Sequence, residues 1–180
     1  MTTHTQVIVR DSTDADIEAI QAIYHYHVLH GTGSFELEAP TVDEMQSRRT
    51  SVVTQGMPYL VAEQSGEVVG YAYVTLYRPR PAYRHTVEDS VYVKPGKTGC
   101  GIGGRLLSEL IKRCTDGGWR QMIAVIGDSR NAPSIALHAS QGFYPVGTLR
   151  SVGYKFDQWR DTVLMQRGLG EGDHSSPTRP

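Results

Sequence analysis

One stretch, Val91 to Leu107 (VYVKPGKTGCGIGGRLL), limits what this chain can fold into more than any other. A short apolar run, Val91-Tyr92-Val93, passes into a loop carrying Lys94, Pro95, Gly96, Lys97, Gly99, Gly101, Gly103 and Gly104, and an amphipathic helix follows. Glycines let the backbone turn tightly, while the first amides of a helix have no intrahelical acceptor and lie at the positive end of its dipole. Both features attract phosphate. The stretch predicts a phosphate cradle between a strand and a helix.

Three motifs compete for it. Gly96-Lys97-Thr98 looks like the close of a P-loop, but that motif needs a glycine five residues before its last one, and Val91 stands there inside the strand. Gly99, Gly101 and Gly104 have the dinucleotide spacing, with Asp128 as a distant ribose-binding acid. A dinucleotide turn follows its strand almost at once, however, whereas here a longer loop separates Val93 from Gly99. The third motif is the pyrophosphate loop of acyl-CoA-dependent N-acetyltransferases, Gln/Arg-x-x-Gly-x-Gly/Ala between a strand and a helix. Gly101 and Gly103 fit it.

The rest of the chain narrows the class. With 180 residues and a formal net charge of −1, it has the length of one domain and no charge excess that would call for nucleic acid. No apolar run has the length of a membrane span, and MTTHTQVIVR lacks a signal-peptide core, so a cytoplasmic protein is expected. Cys100 and Cys114 lack metal or disulfide spacing, and Cys114 continues the apolar stripe of Ile102, Leu106, Leu107, Leu110 and Ile111. Among His25, His27 and His30 only the last two share a helix face, with no acid or cysteine at ligand spacing. No metal site is expected.

In chain order, Gln6 to Val9 predicts a strand and IEAIQAIYHYHVLH a helix, its face formed by Ile17, Ile20, Tyr24 and Val28 and its end by Gly31 and Gly33. Thr41 and Glu44 form a capping box for a second helix reaching Thr54. Strands follow at Tyr59 to Glu63 and Val68 to Leu76, joined by a Ser65-Gly66 turn, and then at Thr86 to Val93. Between the last two, Arg78, Arg80, Arg84, Tyr77 and Tyr83 offer a clamp for a carboxylate or oxyanion. A helix from Gly104 to Asp116, a strand from Gln121 to Ile126, a short helix from Ile135 to Gln141 and strands at Phe143 to Leu149 and Tyr154 to Met165 complete residues 1–167. The tail, residues 168–180, is expected to be disordered.

The order βααβββαβαββ resembles the GNAT N-acetyltransferase superfamily, an α/β fold with a mixed central sheet and helices on both faces. AYRHTVEDSVYV, AVIG, the stretch around Phe35 and GTLRSVGYKFDQW resemble its phosphinothricin and methionine-sulfone acetyltransferase branch. The resemblance implies acetyl-CoA as cosubstrate, held by Val91, Tyr92 and Val93 of the strand and by Gly99, Cys100, Gly101, Ile102, Gly103, Gly104 and Arg105 of the loop. Asn131 and Ser134 join that set, although Asn131 has an equally physical role as the cap of its own helix.

The resemblance implies transfer to the α-amine of a small amino acid, with Glu88 as the base and no acetyl-enzyme formed. An α-amine with a pKa near ~8 is mostly ammonium at neutral pH, and a partly buried carboxylate is suited to take its proton. His138 stands where many members carry a tyrosine that protonates the leaving thiolate, and imidazole can serve as that acid or as a second base. Arg80 and Tyr83, with Phe35 opposite, resemble the family's grip on the substrate, and a homodimer is implied. Two residues depart from the pattern: Thr98 replaces glutamine or arginine, and Cys100 a basic residue, leaving Lys94 and Lys97 to compensate. Those departures favour the alternative of a non-catalytic acyl-CoA sensor, which would have no use for Glu88.

Overall fold

Local signals set most of the elements in the computed structural model, which describes residues 6–179. The first strand, β1 (Val7–Asp11), leads through a short 3-10 turn into α1 (Ile17–His30), which buries Ile17, Ile20, Ile23, Tyr24 and Val28. The Thr41 hydroxyl accepts the Glu44 amide at 3.2 Å and so starts α2 (Val42–Thr54). Strands β2 (Tyr59–Gln64) and β3 (Glu67–Leu76) meet at Ser65 and Gly66, both with positive φ (54° and 79°), as a two-residue hairpin turn requires. A connection containing one 3-10 turn (Pro81–Tyr83) leads to β4 (Thr86–Val93).

The next helix, α3 (Ile102–Asp116), begins two residues before Gly104. Gly101 makes the turn at φ +75°, and Gly103 lies inside the helix where a side chain would press on Leu137 at 3.2 Å. Its buried face is the apolar stripe expected from the sequence, ending at Cys114. Deleting a fully buried side chain such as Leu106 from it costs about 2–5 kcal/mol. After it come β5 (Gln121–Gly127), α4 (Ala132–Ser140), β6 (Tyr144–Lys155) and β7 (Gln158–Gly168).

The sheet runs β1-β2-β3-β4-β5-β7-β6, with β4 and β5 its parallel pair and the remaining neighbours antiparallel. Helices cover both faces. Tyr24 of α1 packs edge-on to Tyr92 at 5.1 Å, while Leu106 and Ile102 of α3 close on Gly70 from the other side. Among the described residues no helix is long and apolar enough to cross a membrane.

Two expectations need correction. The last hairpin does not turn between Leu149 and Tyr154. It turns at Phe156 and Asp157 (φ 53° and 55°), and Ser151 to Gly153 instead forms a bulge where the register shifts. A Ser/Gly pair carries the same signal for a bulge as for a turn, and Phe-Asp is not a turn signature. Nor is residues 168–179 a loose tail. Leu169 is fully buried, Arg120 donates to the Ser175 and Ser176 carbonyls at 2.9 Å, and the Arg179 guanidinium lies 3.8 Å over Trp119.

Candidate active site

The parallel ladder between β4 and β5 ends at Asp89 and Ala124, and beyond it the strands part. Ser90 to Val93 and Val125 to Gly127 then face each other across a cleft of about 1030 Å³. A strand edge without a neighbour can accept an extended amide chain as an added strand. At the open end, Gly99 and Gly101 (φ +77° and +75°) bring the chain to the start of α3, and a side chain added at either would meet nothing within 4 Å. The amides of Ile102, Gly103 and Gly104 lie in the first helical turn, free of intrahelical acceptors. The slot and cradle therefore fit a pantetheine arm followed by a pyrophosphate.

Of the expected ligand-holding residues, Val91, Tyr92, Val93, Gly99, Gly101, Ile102, Gly103, Gly104, Asn131 and Ser134 line this cleft, as does His138. Cys100 and Arg105 are exposed and lie outside its lining. Lys97 reaches the cleft, whereas Lys94 is drawn into an ion pair with Glu67. Asn131 realises the capping alternative: its Oδ1 accepts the Ser134 amide at 3.3 Å and its Nδ2 donates to the Gly127 carbonyl at 3.1 Å.

Strand pleating sends Glu88, Ser90 and Tyr92 to the α1 face and Asp89 to the other. Glu88 pairs across the sheet with Thr75 and lies on β4 two residues before Ser90, itself outside the lining of the cleft. Burial and the neighbouring Asp89 charge raise its pKa above the usual glutamate value, against a smaller opposing pull from Arg78. Such a carboxylate holds a proton more readily than an exposed one.

Asp89 was not singled out in the sequence, yet its Oδ2 lies 2.9 Å from Nε2 of His138, and both side chains are almost wholly buried. Nδ1 of His138 lies 2.8 Å from the Ser134 carbonyl. Two acceptors facing the two ring nitrogens call for a hydrogen on each, which is the imidazolium. Burial lowers the His138 pKa, but the hydrogen bond and charge of Asp89 and the Ser134 carbonyl outweigh it and raise the pKa overall. A second missed residue is His27, whose Nε2 lies 2.8 Å from the Val93 carbonyl and fixes the end of the parted strand.

The expected substrate grip is divided. Phe35 is wedged between Gly127 and Gly153, where a side chain added at either glycine would stand 2.6 Å and 2.4 Å from its ring. Arg80 and Tyr83 occupy the exposed β3–β4 connection, before β4 begins. The seven-residue β5 spans roughly 20 Å, and Phe35 sits at its far end. Among the described residues no hydrogen bond, ion pair or ring contact joins Phe35 to Arg80 or Tyr83. The described residues also contain no group of three or more histidine, cysteine or acidic side chains placed to hold a metal ion.

Known proteins share this arrangement. The family model described as Acetyltransferase (GNAT) family matches residues 20–143. Phosphinothricin N-acetyltransferase of Alcaligenes faecalis is 54% identical over 94% of this chain and 86% of its own length. L-methionine sulfoximine/L-methionine sulfone acetyltransferase of Salmonella typhimurium is 38% identical over 94% of this chain and 97% of its own. Among solved structures, a phosphinothricin acetyltransferase from Sinorhizobium meliloti in complex with acetyl-CoA superposes with a TM-score of 0.93 at 46% identity, covering 96% of this chain and 93% of that one. The structure of yncA from Salmonella typhimurium, with its cofactor acetyl-CoA, gives a TM-score of 0.92 at 37% identity, covering 97% and 99%.

Proposed function

The chain belongs to the GNAT acetyltransferase family, and from that premise we propose that it acetylates the α-amino group of a small amino acid or analogue of the phosphinothricin or methionine sulfone kind. Acetyl-CoA supplies an activated thioester carbonyl. Val91 to Val93 and the Gly99–Gly104 cradle hold it, and Glu88 takes a proton from the incoming ammonium, directly or through water, so that the amine carries a free lone pair. The observation that carries this reading is the position of Glu88: half-buried, with its pKa raised, one residue before the point where the β4–β5 ladder ends. A binding module would have no use for a base there. Removal of the proton and attack by the amine need no acyl group on the protein.

His138 acts as an acid in this reading rather than as a second base. It lines the cleft, and the hydrogen bond and charge of Asp89 raise its pKa and so favour the protonated ring. From there it offers a positive charge to the departing thiolate, and passing it a proton requires Nδ1–H to turn from the Ser134 carbonyl or Nε2–H from Asp89. In this reading the substrate carboxylate is met by Arg78, whose charge is felt at Glu88, and by Arg80 of the β3–β4 connection.

The test is thiol release from acetyl-CoA over free amino acids, including phosphinothricin, methionine sulfone and methionine sulfoximine, set against peptides and polyamines. Turnover confined to the small amino acids is expected. Binding of acetyl-CoA with no turnover of any amine would overturn the proposal in favour of a sensor.

The functional unit in this reading is a homodimer. The outer strand β6 exposes Tyr144, Val146, Leu149, Val152 and Tyr154 by half or more of their surface, and Trp159 of β7 by 66%. A long unpaired apolar edge on a soluble chain is an association surface. Light scattering should return a mass of twice 19.9 kDa, and Val152→Glu should return a single copy.

A further inference from the structure

The β4–β5 ladder parts at one end to form the cleft, and at the other it starts with the pair Thr86 and Gln121. The His85 carbonyl accepts the amides of Arg120 and Gln121 at 2.9 Å and 3.3 Å and so ties the two strands just before that pair. Residues 169–179 fold back onto this junction. The Leu169 amide donates to the Arg120 carbonyl at 2.9 Å, and the Arg120 guanidinium donates to the Ser175 and Ser176 carbonyls. The Arg179 guanidinium donates to the Gly117 carbonyl at 2.8 Å while covering Trp119.

The imidazole of His85 lies in the same junction. Both its ring nitrogens are shielded from solvent, and neither has a hydrogen-bond partner among the described residues. Three guanidinium groups act on it: Arg84 of the connection before β4, Arg179 of the C-terminal segment, and Arg120 at the start of β5. The acid of that segment which reaches the cluster, Glu171, lies 3.8 Å from Arg120. A neutral ring tolerates this setting, whereas an imidazolium adds a second unanswered N–H and one more positive charge. Loss of solvent, followed by the charges of Arg84, Arg179 and Arg120, accordingly holds the His85 pKa below the ordinary 6.5. Arg84 and Arg120 are fixed by the strands they adjoin. Arg179 is held by one hydrogen bond and one ring face, and it is the charge that can withdraw.

We infer that residues 169–179 are an acid-released clasp on the closed end of the β4–β5 ladder, with His85 as its trigger. With the clasp open the ring is in water and titrates normally. Closure is therefore fully favoured above 6.5 and weakens as pH falls below it, by up to about tenfold per pH unit. Release loosens the start of the strand that carries Glu88, so pH reaches that strand from outside the cleft.

The experiment follows Trp119 in the full chain carrying Trp159→Phe, which leaves one tryptophan. Acrylamide quenching of its fluorescence is measured between about pH 8 and pH 5, with the fold checked by circular dichroism. Quenching should rise on acidification in this parent, rise equally when His174, the histidine of the clasp itself, is changed to glutamine, and stay flat in His85→Gln. Proton NMR of the His85 ring should give a pKa below 6.5 that moves up toward that value in Arg179→Gln. This comparison is the decisive arm if His85→Gln does not fold. Quenching independent of pH in the parent, an undiminished rise in His85→Gln or loss of the rise in His174→Gln would overturn the inference. So would a His85 pKa that is at or above 6.5, or one that Arg179→Gln leaves unmoved.

Discussion

Glu88 is maintained at a cost to the fold. A carboxylate whose pKa is raised in the folded state is penalised when charged, so the penalty is present at neutral pH and is relieved as pH falls through the raised value. Glu88→Gln is therefore expected to melt no lower than the wild type while losing about 10²- to 10⁴-fold in kcat/KM, with its acetyl-CoA affinity unchanged. In the wild type, the acidic limb of kcat/KM should lie above the ordinary glutamate range. His138 has the opposite sign. Its folded pKa is raised above the ordinary 6.5, so the stability it contributes is full below that value and is lost as pH rises through the folded one. The gap in urea midpoint between wild type and His138→Gln should accordingly narrow as pH is raised from 6. Glu88 was legible because strand alternation and the adjacent glycine loop are local signals. Asp89 with His138, 49 residues apart, and His27 with Val93, 66 apart, were not, because sequence spacing does not say which distant groups meet.

At the scale of elements, Phe35 holds the α1–α2 connection against two strands, and it can do so only because Gly127 and Gly153 leave room for its ring. Gly153→Ala would put a methyl group 2.4 Å from that ring and should lower stability by about 1–3 kcal/mol, measured by urea titration. In Gly153→Ala combined with Phe35→Leu the two losses should sum to less than their separate values, since one change makes space for the other. The same glycine explains why the last hairpin was misplaced in the sequence. Ser151 and Gly153 have turn chemistry, but here the register shift accommodates them within one long strand, β6. The other elements follow periodicities of 2 and 3.6 residues and conventional caps, so their order could be read directly and their ends to within three residues, the largest gap being the start of α4 at Ala132 rather than Ile135.

For the molecule as a whole, the sequence made the segment after β7 look featureless, because composition weighs many polar residues and overlooks the single Leu169 that fits a buried site. Truncation after Gly168 removes Leu169 and uncovers Trp119, and is expected to lower Tm by about 4–10 °C, by calorimetry. The parting of β4 and β5 extends beyond the site it forms. Among the described residues, the strand ladder joining the β1–β4 half of the sheet to the β5–β7–β6 half is four residue pairs long, from Thr86–Gln121 to Asp89–Ala124. The molecule is thus two half-sheets on a short seam, and a ligand lying between them works as a rivet. Hydrogen exchange at Val91 to Val93 and at Val125 to Gly127 should slow together when acetyl-CoA is added, and the halves should then open as one cooperative unit.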